Sequence, residues 1–181
     1  MQLRPGQVVL RRGPLVVRAV KVGDVQPLHR HIRELVQERA QILLQHVPTL
    51  KEERAFVREK VANLGRMEIF LVAEWDGRVA GVGSAHRDMV KPHATARLAM
   101  LGLGVSPGFR RKGVGEALLR AAMRCARKEW GTRIFWLDVY RSNTAAQRLY
   151  RRLGFRVTGR VPRGAKVRGK VTDVLLMVKG S

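Results

Sequence analysis

Leu101-Gly-Leu-Gly-Val-Ser-Pro-Gly-Phe-Arg-Arg-Lys-Gly-Val-Gly-Glu116 decides the reading of this chain. Leu101 to Val105 is apolar and uncharged, as a strand covered on both faces should be. Ser106-Pro107-Gly108 ends it. Arg110, Arg111 and Lys112 lead into Gly113-Val114-Gly115, and an amphipathic helix follows at once. A helix N-terminus exposes unpaired N–H groups and carries about half a positive charge. Two glycines there let a ligand approach the backbone, and three cations add to the field. Strand, loop and helix start together describe an anion site, and a diphosphate is its natural guest. The stretch is neither a P-loop nor a Rossmann fingerprint. It has no Gly-x-x-x-x-Gly-Lys-Ser/Thr, and Leu118 stands where the third Rossmann glycine would be.

Working outward, 181 residues suffice for one domain with a core, and 45% hydrophobic residues argue against disorder. No apolar run reaches membrane-spanning length, and no signal-peptide pattern opens the chain, so neither membrane insertion nor export is expected. The lone Cys125 excludes an internal disulfide and suits a reducing cytoplasm. It shares an apolar helix face with Val114, Leu118 and Ala122, which reads as packing. A net charge of +22 attracts ribosomes, nucleic acid or acidic ligands, or reflects a solvated arginine surface. The aromatics form no base-stacking pattern.

In chain order, residues 1–13 read as a basic arm, loosely held or adding an edge strand through Gln7–Leu10, and 14–181 as the domain. Leu15–Val20 is a strand. Val25 to about His46 is an amphipathic helix, including Ile42 and Leu43. Thr49 and Glu52 open a second helix with a capping-box pattern. His29, His31 and His46 have no companion carboxylates or cysteines at ligand spacing, so no metal is expected. Asp76-Gly77 joins two strands, Glu68–Trp75 and Arg78–Arg87, as a hairpin. Met89–Ala94 is a loop and Thr95–Val105 a strand. The helix from Gly113 ends at Gly131, and strand Arg133–Tyr140 follows. Ser142-Asn143 caps a helix that stops before Gly154. Phe155–Arg160 and Val171–Val178 are strands joined by a basic, glycine-rich linker, Val161–Lys170. The order is β-α-α-β-β-β-α-β-α-β-β in one α/β domain.

Two motifs then coincide. Arg110, Gly113 and Gly115 meet Arg/Gln-x-x-Gly-x-Gly/Ala. Asn143, Ala146, Leu149, Tyr150, Gly154 and Phe155 meet Asn-x-x-Ala-x-x-Leu-Tyr-x-x-x-Gly-Phe. In this order they resemble the GNAT superfamily of N-acetyltransferases, most clearly over residues 68–178. The nearest motif likeness is to the ribosomal-protein N-terminal-alanine acetyltransferases. The resemblance implies a mixed, mostly antiparallel sheet splayed between two parallel strands, flanked by helices. It implies acetyl-CoA, with its pyrophosphate on the N–H groups of Arg111, Lys112, Gly113, Val114, Gly115 and Glu116, and Arg110 to Lys112 as clamps. Leu103, Gly104 and Val105 would line up the pantetheine and thioester, and Asn143 would contact the cofactor as well as cap its helix. Tyr150 would protonate the leaving thiolate.

For the base, Asp138 stands where the N-terminal-alanine enzymes carry glutamate in a similar Leu-Glu-Val…Ser-Asn run. One methylene shorter, it would reach the amine directly or through water. Glu68 and Glu74 are weaker candidates. An α-amine of pKa about 7.9 is about 10% neutral at pH 7, while a lysine is about 0.04% neutral. Lysine acceptors would thus need a stronger base or more desolvation; the resemblance implies transfer to a primary amine, and the Asp138–Asn143–Tyr150 run leans toward a polypeptide α-amine. Alternatives are a small amine or amino acid as acceptor, or a nucleic-acid- or ribosome-associated module on an inactive fold. An edge strand could mediate a homodimer.

Overall fold

A computed structural model describes residues 3–38, 46–87, 97–167 and 169–180. Eight strands form one sheet: β1 (Val8–Arg12), β2 (Leu15–Ala19), β3 (Glu68–Trp75), β4 (Arg78–His86), β5 (Leu98–Val105), β6 (Ile134–Tyr140), β7 (Arg156–Val167) and β8 (Lys170–Lys179). Their spatial order is β1-β2-β3-β4-β5-β6-β8-β7. Only β5 and β6 run parallel; the other pairs are antiparallel. Four helices flank the sheet: α1 (Val25–Gln37), α2 (Leu50–Ala62), α3 (Val114–Trp130) and α4 (Thr144–Arg152).

Local sequence explains most boundaries. Thr49 accepts the N–H of Glu52 and Glu52 accepts that of Thr49, closing the expected capping box of α2. Asp76 and Gly77 both take positive φ, as a tight hairpin turn requires. Asn143 accepts the N–H of Ala146 at the start of α4, and Gly154 ends that helix with φ 89°. The edge strand weighed for the N-terminal arm forms as β1, which pairs with β2. Inside the first half, Arg18 bonds both Asp24 oxygens at 2.7 and 2.8 Å and Glu74 at 2.6 Å. This buried ion group ties β2 and β3 to the turn before α1.

Ile42 and Leu43, the Met89–Ala94 loop and the start of the Thr95 strand lie outside the described residues. One expectation is corrected. Val161–Lys170 is not a linker: β7 runs through it to Val167 and pairs with β8 from Lys170. Glycine and proline suggest a break, but a register shift between Val161 and Ala165 absorbs the irregularity. Arg163 takes φ 54° there, and its N–H bonds Asp173 at 2.9 Å.

The two sheet faces are distinct. A Cβ on Gly81 or Gly83 would touch Leu118 of α3, whereas one on Gly104 would touch Leu35 and His31 of α1. Strand alternation therefore puts odd residues of β4 and β5 toward α3 and even ones toward α1. On β6, Phe135 lies under Arg127 of α3, so Trp136, Asp138 and Tyr140 belong to the opposite face. Phe135, Leu118, Leu71, Phe155 and Met177 form the centre of the core.

Candidate functional site

The site begins where β5 and β6 part. Their parallel ladder joins Leu98 to Ile134, Ala99 to Phe135 and Met100 to Trp136, and continues no further. Beyond it β5 stays paired to β4 as far as Val105, while β6 pairs with β8. Ser106 N–H bonds Ala80 O at 3.0 Å toward β4. By alternation the N–H groups of Leu103 and Val105 point the other way, into the opening. The result is a notch with an unpaired strand edge, built to receive an extended chain carrying amides of its own.

The anion loop stands at the mouth of this notch. Gly113, the N-cap of α3, has φ 81°, and nothing lies within 4 Å of where its Cβ would be. Arg111 also takes positive φ, 63°. Gly115 serves a different purpose. Its missing Cβ would sit 3.3 Å from Leu103 and Leu149 and 3.5 Å from Val105. It lets α3, α4 and β5 converge, while Gly113 keeps space open to a ligand. Val114 anchors the helix start in the core. Glu116 pairs with Arg120 at 2.8 Å one turn on.

The three loop cations separate. The Arg110 guanidinium bonds Glu38 through Nη2 at 2.8 Å, and its Nε donates to Val105 O at 3.1 Å. It braces α1 against the strand end and occupies one carbonyl of the unpaired edge. Lys112 Nζ lies 5.5 Å from the centres of both Trp75 and Phe109. Arg111 is exposed and forms no ion pair with the described residues.

Tyr150 of α4 is buried beside Phe155 with ring centres 6.1 Å apart. Burial, reinforced by the Asp138 carboxylate, pushes its phenol up to about 12. The same two causes raise Tyr140. Asp138 is thus near enough for both hydroxyls to feel its charge, although it lies on the other face of β6. Gly115 brings the loop, Leu103, Val105 and Leu149 together, and Tyr150, the next residue of α4, lies within reach of the Asp138 charge. Asn143 stands at the head of α4, its side-chain oxygen committed to the cap. Glu74 is taken up by Arg18.

Glu68 anchors a separate cluster. It bonds Lys60 Nζ at 3.0 Å, and burial raises its carboxyl against that ammonium. His86 Nδ1 lies 3.0 Å from Glu68 Oε1 without hydrogen-bonding alignment, and its Nε2 meets Ser84 Oγ at 2.9 Å.

Sequence reasoning missed His31. Its Nδ1 meets Ser106 Oγ at 2.8 Å. Its Nε2 is buried without a hydrogen bond to any described residue, 3.5 Å from where a Cβ of Gly104 would stand. Burial lowers its pKa to about 4, against a smaller upward pull from Glu34. The one sequence signal was Gly104 itself, a glycine in a strand that admits close approach by another element.

A family model described as the acetyltransferase (GNAT) family matches residues 32–155. An uncharacterized N-acetyltransferase of Mycobacterium tuberculosis is 32% identical over 89 residues, 49% of this chain and 53% of that protein. An N-alpha-acetyltransferase of Sulfurisphaera tokodaii is 32% identical over 94 residues, 48% of this chain and 56% of that protein. The matched stretch thus spans about half the length of these curated relatives. An acetyltransferase from Streptococcus pneumoniae superposes with TM-score 0.81 and 26% identity, over 92% of this chain and 99% of its own. A Salmonella typhimurium structure holding its cofactor acetyl-CoA gives 0.79 at 23% identity, over 93% and 94%. RimL, a ribosomal α-N-protein acetyltransferase in complex with coenzyme A, gives 0.83 at 19%, over 96% and 98%. The last two show likeness of fold.

Proposed function

Because the chain belongs to the acetyltransferase (GNAT) family, we propose that it transfers the acetyl group of acetyl-CoA to a primary amine by direct attack in a ternary complex. The proposed amine is the α-amine of a polypeptide, as the names of the Sulfurisphaera relative and RimL suggest. The carrying observation is the notch: an unpaired edge at Leu103 and Val105 where β5 and β6 part.

The residues fit the donor. The open space at Gly113 and the N–H groups from Arg111 to Glu116 would hold the pyrophosphate, with Arg111 as the unpaired cation. Leu103 and Val105 would pair with the pantetheine amides. Val105 N–H would also stabilise the oxyanion, with Leu103 N–H next along the edge. Arg110, already bonded to Val105 O, would stiffen this edge rather than grip a phosphate.

In the reaction a neutral amine attacks the thioester carbonyl and the C–N bond forms. The C–S bond breaks, and the thiolate takes the Tyr150 proton. The proton lost by the nitrogen passes to Asp138, directly or through water, and returns to the phenolate as the site resets. Amide and thiol leave with the atoms balanced. A phenol held near 12 is protonated throughout the working pH range, as a proton donor must be.

Purified protein incubated with acetyl-CoA and peptides bearing free N-termini should yield peptides heavier by one acetyl group by mass spectrometry. Modification of lysine side chains with the α-amine untouched would overturn the α-amine reading. No thermal shift at millimolar acetyl-CoA would overturn the donor.

A further inference from the structure

Resting on the α-amine reading, we infer that the acceptor is an acidic polypeptide segment, drawn to the site by the β7–β8 hairpin. The helices α1 and α2 leave part of one sheet face largely uncovered among the described residues. α1 packs on β4 and α2 on β3. Neither packs substantially on β6, β8 or β7 among the described residues. On the same face lie Trp136 and Asp138 from β6, with Tyr140 buried at its end, and Val174, Leu176 and Val178 from β8. Val161 and Gly159 follow on β7, as the register Asp138–Leu176–Gly159 and Tyr140–Val174–Val161 requires. Leu176 and Val174 are half-buried, and Val161 is 47% exposed. This apolar tray is continuous with the notch, and Asp138 is the one acidic group of its three strands on that face. From these three strands an arriving ammonium therefore meets one carboxylate, Asp138, while Glu38 of α1 is engaged by Arg110.

Charge selects the residues that trail the ammonium. From Val139 to the C-terminus the chain carries eleven cations and one acid, Asp173. That acid is spent inside the hairpin: it pairs with Arg160 at 2.8 Å and Arg141 at 3.2 Å and accepts the N–H of Arg163. Arg156, Arg163, Lys166 and Lys170 are exposed and form no ion pair with the described residues. β8 pairs with β6 only as far as Val174. The hairpin tip, with Arg163, Lys166 and Lys170, thus runs on past the end of β6. It forms a basic arm beside the tray. A peptide with its amine at Asp138 and its body leaving along β8 would pass these cations. Acidic residues after the first would be attracted, and basic ones repelled. Of the acids on β6, β7 and β8, a polycation would meet Asp138 alone on this face.

The test uses the full chain with coenzyme A and three labelled peptides with free α-amines, beginning Ala-Asp-Glu-Asp, Ala-Ser-Gln-Ser and Ala-Lys-Arg-Lys. Fluorescence anisotropy should rank them acidic, neutral, basic, with at least about tenfold between the first two at low salt and less at high salt. The triple variant Arg163→Glu, Lys166→Glu, Lys170→Glu should remove or invert that order. Its acetyl-CoA thermal shift should remain, which shows that it folds. Equal affinity for the three peptides, or an order unmoved in the variant, overturns the inference. So does a labelled RNA hairpin that binds more tightly than the acidic peptide and loses this in the variant, which would assign the arm to nucleic acid. Acetyl transfer is read in parallel. Transfer to all three peptides without preference keeps the α-amine reading and sinks the arm. An acidic preference in binding with no transfer to any α-amine does the reverse.

Discussion

The side of the notch proposed for the donor, β5 with its loop and α3, and the side proposed for the acceptor, β6 with β8 and β7, are built on different principles. The donor side works through backbone: an unpaired strand edge, a left-handed Gly113, and a helix start. The acceptor side works through side chains: one carboxylate on an apolar face, with cations on an arm. Backbone recognition depends on absent side chains and fixed φ, so it tolerates almost no substitution and leaves a motif. Side-chain recognition is distributed and graded, so each position contributes little and leaves none. Single substitutions should be severe on the donor side and partial on the acceptor side.

The largest effect is expected at Gly113→Val. A β-branched residue at φ 81° is strained, and its side chain would fill the space left for the phosphates. Acetyl-CoA affinity measured by calorimetry should fall at least about 100-fold, because several N–H groups would be shut off from the phosphates at once. Normal affinity would place the diphosphate elsewhere and remove the contrast between the two sides. Tyr150→Phe comes next. It removes a proton and keeps the ring, so kcat should drop by about 100-fold or more while acetyl-CoA affinity holds. Unchanged kcat would exclude Tyr150 from the chemistry. Asp138→Asn should cost about tenfold to 100-fold in rate and flatten the rise of rate with pH. If the profile keeps its wild-type shape, Asp138 is not the proton acceptor and the tray loses its anchor.

The same contrast explains which features are legible in the sequence. Arg110, Gly113, Gly115 and the Asn143–Phe155 run announce the donor loop, α4 and Tyr150, because spacing along one segment fixes them. The Asp76-Gly77 hairpin and the Thr49 cap are legible for the same local reason. Glu38 and Arg110 are 72 residues apart. Nothing local could reveal that this arginine is a brace, or that Lys112 rests against Trp75 while Arg111 stays unpaired. The β7–β8 arm is hidden by its own chemistry. Pro162, Gly164 and Gly169 read as a loop, yet β8 templates the strand across its bulges. Asp173 holds the bulge from ten residues away.

His31 belongs to the β5 side alone, where α1 lays it over Gly104 with Nδ1 on Ser106. Its titration gives the smallest of these effects. Burial takes the folded-state pKa from an ordinary 6.5 down to about 4. Between those values the unfolded chain holds a proton on this ring that the folded chain does not. Stability therefore rises with pH across the window and is lost as pH falls from about 6.5 toward about 4. One such group contributes at most about 1.4 kcal/mol per pH unit. His86, lowered chiefly by burial and then by Lys60, adds in the same direction. Urea midpoints at about pH 7 and about pH 5 should differ less in His31→Gln than in the native chain. Equal differences would mean that the ring takes up its proton without cost, and that its unpartnered Nε2 is not sealed against β5. A smaller difference, with acetyl-CoA affinity retained, would show that α1 grips the donor strand through a neutral histidine.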